Sequence, residues 1–159
     1  MSKKYPDDIL KDLEDKTTST GLLLYAKEYY EGYDVIQTQY SDTTKYFDVK
    51  FFLLCHSLEL VMKALLRESG ATYLELHDYG HDLYALLKAL HDKHGITTSL
   101  ESSLDIQLVN AHYSKKDFEY YVRGSKIVPE IRNLARTTHL LISKATRDIE
   151  GPNNTKHHN

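Results

Sequence analysis

Residues 46–70 read YFDVKFFLLCHSLELVMKALLRESG, and this stretch decides the fold. Apolar side chains occupy nearly every side of the helix that the stretch predicts. Such a helix lies in the middle of a helical bundle or spans a membrane. Gly70 directly follows the last apolar turn and is a typical C-terminal stop for a helix. The stretch therefore predicts a central helix around which the other elements are arranged.

Three polar residues, His56, Glu59 and Lys63, interrupt this stretch at spacings that place them on one helical face. Glu59 precedes Lys63 by four residues, which is the favourable order for an ion pair. An unpaired charge buried among leucines is costly, so the stripe must reach water or be paired inside. Two interpretations remain open. Either Glu59 and Lys63 neutralise each other at the edge of the core, or the stripe contacts a loop, a partner chain or a ligand phosphate.

The composition is that of one ordinary folded domain. With 159 residues, 41% of them hydrophobic and 27% charged, the chain is neither disordered nor membrane-like. A net charge of −3 gives no general basic excess for nucleic acid, although a local basic patch is compatible with it. The lysines near the N-terminus precede no apolar run, so a signal peptide is not predicted and a cytoplasmic protein is expected. The single cysteine, Cys55, is predicted to be an inert core thiol.

Helical periodicity divides the chain into three parts. Residues 1–16 predict a short helix or arm after Pro6, residues 17–150 a single helical domain, and residues 151–159 a disordered polar tail. The fold class is all-α, an antiparallel bundle of about five helices, because short connections join helical neighbours.

Five helices are expected in the domain, at about 21–40, 46–70, 80–94, 100–113 and 129–149. Runs of serine, threonine and aspartate at 17–20, 41–44 and 97–99 supply candidate N-caps. Residues 71–80 are expected to be a connector. Residues 114–127 predict a short extended segment before the last helix, of which Pro129 is expected to be the first residue.

The last predicted helix carries the candidate chemistry. Arg132 and His139 are seven residues apart, close to two helical turns, and Arg136 lies between them on the same face. Guanidinium groups bind phosphate oxygens bidentately and stabilise charge in a transition state. An imidazole that titrates near neutrality can take a proton from a 2′-hydroxyl or return one to a leaving oxygen, and no metal or cofactor is needed. The alternative interpretation is a solvated basic stripe with a surface histidine.

Further basic and aromatic residues precede this helix. Four basic residues could extend the patch: Lys115, Lys116, Arg123 and Lys126. Three tyrosines among them are candidate stacking platforms for unpaired bases: Tyr113, Tyr120 and Tyr121. Tyr120 could equally be a packing residue. No metal site is expected, because the nine histidines have neither cysteine partners nor acidic residues at ligand spacing.

Three motifs together resemble the HEPN domain family. FLLCHSLEL at 52–60 with KALL at 63–66 is similar to the central helix of HEPN domains, and GHDL at 80–83 is similar to the opening of their next helix. YYVR at 120–123 looks like the aromatic–Arg stretch of one HEPN branch. The resemblance covers roughly residues 20–147. It implies a compact helical bundle, often a homodimer.

The resemblance also implies a function. The family includes RNA-cutting enzymes of toxin–antitoxin, phage-defence and RNA-processing systems, and non-catalytic members that bind RNA or nucleotides. Active members carry an Arg, often followed by Asn, Asp or His, and then a His after four to six residues. Arg132, Asn133 and His139 match this pattern with six intervening residues, while Thr137 occupies the commoner position of the histidine.

We therefore expect a HEPN-like module that binds RNA, a nucleotide or a protein partner such as an antitoxin, as a homodimer and without a membrane partner. Arg123, Lys126, Asn133 and Arg136 are the expected phosphate-binding residues. The alternative is a metal-independent endoribonuclease that uses Arg132 and His139. A two-fold dimer would join two copies of this face into one groove with four arginines and two histidines.

Overall fold

The computed structural model describes residues 5–42 and 44–151. Within these ranges the chain forms seven α-helices: α1 Asp7–Lys16, α2 Ser19–Gln39, α3 Phe47–Glu68, α4 Tyr73–Asp78, α5 Leu83–His94, α6 Leu100–Tyr113 and α7 Ile131–Ala145. A π-helical turn, Thr146–Glu150, continues from α7. No β-strand occurs in the described ranges, and the predicted all-α class is confirmed.

The predicted central helix, α3, packs against α2, α4, α5, α6 and α7. Four of its six leucines and Cys55 are buried in the core, and burial raises the pKa of the Cys55 thiol, as expected for an inert core cysteine. Gly70 has a φ of 101°, a conformation that favours glycine, and its N–H bonds to the Arg67 carbonyl beyond the end of the helix. None of the helices in the described part of the chain is long and apolar enough to cross a membrane.

The start of α3 differs from the prediction. The residues of 41–44 that the structure describes do not cap α3, and the helix begins instead after Tyr46, whose φ is 56° and whose side chain makes no capping hydrogen bond. Thr43 lies outside the described residues. Periodicity indicates where a helix runs, but the exact turn at which it begins depends on how the preceding loop is fixed.

Lys50 fixes that loop, and the sequence gives no direct sign of it. Its ammonium is buried and donates hydrogen bonds to Gln37 Oε1 at 3.2 Å, to the Tyr40 carbonyl at 2.9 Å and to the Asp42 carbonyl at 3.1 Å. These acceptors lie at or just beyond the C-terminal end of α2, where the last carbonyls of a helix have no intrahelical partner. The loop is therefore tied to the end of α2 and not to the start of α3.

The segment expected as a connector at 71–80 contains the short helix α4. Thr72 accepts a hydrogen bond from the Glu75 N–H, and the Glu75 side chain accepts one from the Thr72 N–H. This reciprocal capping box is visible in the sequence as Thr-x-x-Glu and could have predicted the helix.

The predicted start of α6 is confirmed, whereas α5 begins at Leu83, three residues after the expected position, and the start of α7 also differs from the prediction. Asp82 accepts from the Ala85 N–H at the start of α5, and Ser99 accepts from Ser102 at the start of α6. The N-cap of α7 is Glu130, so the prediction that Pro129 is the first helical residue is wrong by two positions.

The predicted extended segment is also wrong. Residues 114–119 form turns, and the residues from 120 to the start of α7 are neither helix nor strand. Phe118 is buried and stacks on Phe51 with ring centroids 5.4 Å apart, whereas Tyr120, Tyr121 and Val122 are all exposed. The alternation of residue types therefore does not correspond to alternating burial.

The helical spacing of α6 predicts an apolar face of Leu100, Leu104, Leu108 and Val109. Val109 is buried as expected, together with Ile106 and Tyr113, whereas the three leucines are exposed. At the chain ends, residues 1–4 lie outside the described ranges, as does the predicted tail after Gly151.

Candidate functional site

The polar stripe of α3 is paired inside the bundle. Glu59 is only 3% exposed. Its Oε1 accepts from Lys63 Nζ at 2.6 Å, and its Oε2 accepts from the Tyr113 hydroxyl at 2.6 Å and from His81 Nδ1 at 2.9 Å. Lys63 also donates to the Gly80 carbonyl at 2.8 Å. The stripe thus contains the predicted Glu59–Lys63 ion pair and also contacts α6 and the loop before α5.

His56 completes the buried cluster. Its Nδ1 lies 2.9 Å from the Tyr113 hydroxyl, and its ring packs edge-on against Tyr29 and stacks on Phe52. Because the Tyr113 hydroxyl donates its only proton to Glu59, His56 Nδ1 is the donor in this contact, which fixes the tautomer of the neutral ring. Burial lowers the pKa of His56, and the nearby Glu59 carboxylate opposes that shift only in part.

The cluster keeps Glu59 ionised. Burial by itself would raise the pKa of this carboxyl group. The Lys63 ammonium, together with hydrogen bonds from Lys63, Tyr113 and His81, outweighs burial and holds the pKa below its ordinary value. The carboxylate therefore acts as a buried anchor for three separate parts of the chain.

Two members of this cluster were not predicted in these roles. Tyr113, a candidate stacking platform for bases, is 1% exposed, and that prediction is wrong. His81 was not assigned to a site. Two of the three motifs that resemble HEPN domains contain Glu59 and His81 respectively, so the occurrence of both motifs was the available signal.

The α7 residues lie together on one exposed face, as their spacing predicts. Arg132, Arg136 and His139 line one wall of an open groove of about 370 Å³. The opposite wall belongs to α2 and consists of Tyr30, Tyr33, Asp34 and Gln37.

Both guanidinium groups remain accessible in this groove. The Arg132 side chain is 83% exposed, and its Nε lies 3.7 Å from Glu130 Oε1, too long for a strong hydrogen bond. Arg136 Nη2 donates to Asn133 Oδ1 at 3.1 Å, which steadies the guanidinium and leaves its other N–H donors free. Asn133 is thus connected to the groove only by its hydrogen bond with Arg136.

Aromatic rings line the α2 wall of the groove. The half-buried Tyr30 ring packs against His139, with centroids 5.8 Å apart, and against Tyr33. Burial raises the pKa of Tyr33 to about 12, so its hydroxyl stays neutral near neutral pH. His139 is therefore held on one side by an aromatic ring and open to solvent on the other.

The basic residues predicted to extend the patch are less available. Lys126 is 11% exposed, and its Nζ lies 3.2 Å from Asp48 Oδ1, so α3 already pairs its charge. Arg123 is exposed but does not line the groove. Lys116 lies 3.6 Å from Glu119.

The groove between α2 and α7 is thus the part of the described structure where exposed guanidinium groups, an imidazole and aromatic rings converge. In general, guanidinium groups bind phosphate oxygens bidentately, and aromatic rings stack on nucleic-acid bases. The chain itself gives no match to any family model, any curated protein or any solved structure.

Proposed function

We propose that this chain is a HEPN-like module that binds RNA or a nucleotide through the groove between α2 and α7. The HEPN assignment rests on the motifs at 52–66 and 80–83. The observation that carries the binding function is the placement of Arg132, Arg136 and His139 on one exposed wall, opposite tyrosine rings. The setting we propose is a cytoplasmic toxin–antitoxin or phage-defence system, with an antitoxin as a candidate protein partner.

The overall charge does not oppose this function. A net charge of −3 repels a polyanion only weakly at physiological salt, where charges more than about 8 Å apart are largely screened. Arg132 and Arg136 lie about one turn apart on the same helix and both line the groove. Each can give charge-assisted, bidentate hydrogen bonds to a phosphate.

A homodimer would make this binding surface larger. Leu140, which follows His139 on α7, is 62% exposed, and Val35 on α2 is also exposed beside the groove residue Asp34. A two-fold contact through these apolar side chains would place two grooves side by side and bring four arginines onto one RNA.

The binding function is tested with a short single-stranded RNA and the single variants Arg132→Ala and Arg136→Ala. Each is expected to weaken binding roughly tenfold, since a hydrogen bond to a charged group contributes about 1.5–3 kcal/mol. Lys144→Ala is the matched control, because Lys144 is a basic residue of α7 that pairs with Asp148 and does not line the groove. Equal affinity in all four proteins would refute the proposed surface.

The alternative function is a metal-independent endoribonuclease. The observation in its favour is that His139 is exposed beside two guanidinium groups, where it could exchange protons with a 2′-hydroxyl. Structured RNA is incubated with wild-type protein and with His139→Ala in the presence of EDTA. Cleavage that persists in EDTA and is lost in the variant supports the enzyme, whereas identical products from both proteins exclude His139 from the reaction.

A further inference from the structure

One residue of the groove is not explained by phosphate binding. Asp34 lines the same groove as Arg132 and Arg136, and its carboxylate is exposed. It makes no hydrogen bond or ion pair with any residue in the ranges 5–42 and 44–151. A free carboxylate repels phosphate, so a groove that bound only phosphate would be better without it.

Asp34 follows Tyr30 by four residues on α2, so the two side chains lie about one helical turn apart on the same wall of the groove. A ligand that packs on the exposed part of the Tyr30 ring can therefore reach the Asp34 carboxylate.

Gln37 lies one helical turn after Asp34 and lines the same wall. The buried Lys50 ammonium can only donate hydrogen bonds, and it donates one to Gln37 Oε1 at 3.2 Å. This contact orients the side-chain amide, because its oxygen must face Lys50 and its NH₂ group must face away. The α2 wall thus presents a hydrogen-bond acceptor, Asp34, next to a donor, Gln37.

The bases of RNA differ in whether they can satisfy this pair. The Watson–Crick edge of guanine carries two adjacent donors, N1–H and the N2 amino group, followed by the O6 acceptor. A carboxylate can accept from both donors at once, and an amide NH₂ can donate to O6. Adenine and cytosine offer a single amino donor on this edge, and uracil offers a single imino donor between two acceptors.

We propose that the groove is selective for guanine. The base packs against Tyr30 with its Watson–Crick edge on Asp34 and Gln37, and its phosphate lies across the groove on Arg132 and Arg136. The ligand is a guanine nucleotide, either free or within single-stranded RNA. This inference rests on the proposed binding function and adds base identity to it.

The test compares the affinities of GMP, AMP, CMP and UMP, and of four labelled hexaribonucleotides that differ only in one central base. We expect the guanine ligand of each set to bind roughly tenfold more tightly than the others, which is the usual size of a bidentate base contact. Selectivity among the mononucleotides indicates a free nucleotide as the ligand, and selectivity confined to the oligonucleotides indicates RNA.

Asp34→Asn tests the residue itself. The substitution keeps the size of the side chain, removes its charge and replaces one acceptor by a donor. We expect it to abolish the guanine preference, while the affinity for the other three bases stays equal or rises because repulsion of phosphate is lost. Glu31→Gln, an exposed carboxylate of the same helix that does not line the groove, should leave the preference unchanged.

Three results would overturn the inference, and they separate it from the proposed function. Equal binding of all four bases, with weaker binding in the arginine variants, refutes guanine selectivity and leaves the binding function standing. An equal increase in affinity for all four ligands in Asp34→Asn would also refute guanine selectivity and leave the binding function standing. Binding that depends on neither arginine refutes both.

Discussion

The Tyr113 hydroxyl donates a 2.6 Å hydrogen bond to the Glu59 carboxylate, across 54 residues of sequence. This bond joins α6 to the central helix, and His81 joins the start of α5 to the same oxygen atom. A carboxylate buried this deeply is tolerated only when its lone pairs are satisfied by donors. The cluster is therefore a structural junction, distinct from the groove between α2 and α7.

Removal of one donor tests this junction. Tyr113→Phe keeps the ring but leaves Glu59 without one of its hydrogen bonds, so we expect the free energy of unfolding to fall by about 1–3 kcal/mol. Urea denaturation measures the loss. Tyr121→Phe is the matched control, since that side chain is exposed and its substitution should change stability by less than about 0.5 kcal/mol. Equal midpoints for the two variants would mean that the Tyr113 hydroxyl contributes nothing.

Stability should fall as the pH is lowered. Both His56 and Glu59 have a lower pKa in the folded protein than in the unfolded chain, so the unfolded chain binds more protons in acid. The free energy of unfolding should begin to fall below pH 6.5, the pKa of His56 in the unfolded chain, because the folded protein keeps His56 neutral. It should fall more steeply below pH 4.5, the pKa of Glu59 in the unfolded chain, because the folded protein keeps Glu59 ionised.

Urea denaturation from about pH 7.5 to about pH 2.5 follows both steps. His56→Gln should flatten the upper step, and His139→Gln, which replaces an exposed histidine, should not. A free energy of unfolding that is constant over this range, or that rises in acid, would contradict the assignment of both groups.

The proposed homodimer predicts that replacing one apolar residue by a charged one halves the mass of the protein in solution. Wild-type protein is expected at twice the single-chain mass of 18.4 kDa by light scattering. Leu140→Asp should shift it to the monomer, because a buried carboxylate at a two-fold axis is repelled by its own copy. Leu100→Asp alters an exposed leucine of α6 and should leave the dimer intact. If Leu100→Asp alone is monomeric, the dimer interface lies on α6 and not on α7.

Much of the fold follows from local patterns. The apolar stretch at 46–70 predicts the central helix, and the polar run at 97–99 predicts the start of α6, because an N-cap bonds only to the first turn of its own helix. The same locality explains the correct placement of Arg132, Arg136 and His139 on one face, since helical spacing alone determines it.

The errors arise where distant residues decide. The leucines of α6 and the alternating residues after it are apolar in sequence, but Ile106 and Phe118 are buried and the leucines are exposed. Lys50 is buried because the end of α2 supplies three oxygen acceptors, which no local pattern reveals. The α2 wall of the groove was missed for the same reason: Asp34 and Gln37 become a site only when α7 packs beside them.

The central claim is that Arg132 and Arg136 hold phosphates, and the salt dependence of RNA binding tests it most directly. The logarithm of the affinity for single-stranded RNA is measured against the logarithm of salt concentration for wild type, for Arg132→Gln/Arg136→Gln and for Lys144→Gln. Each phosphate contact contributes about 0.7 to the slope, so the double variant should be shallower by about 1.4 per groove, with Lys144→Gln unchanged. The same slope in all three proteins would contradict the claim.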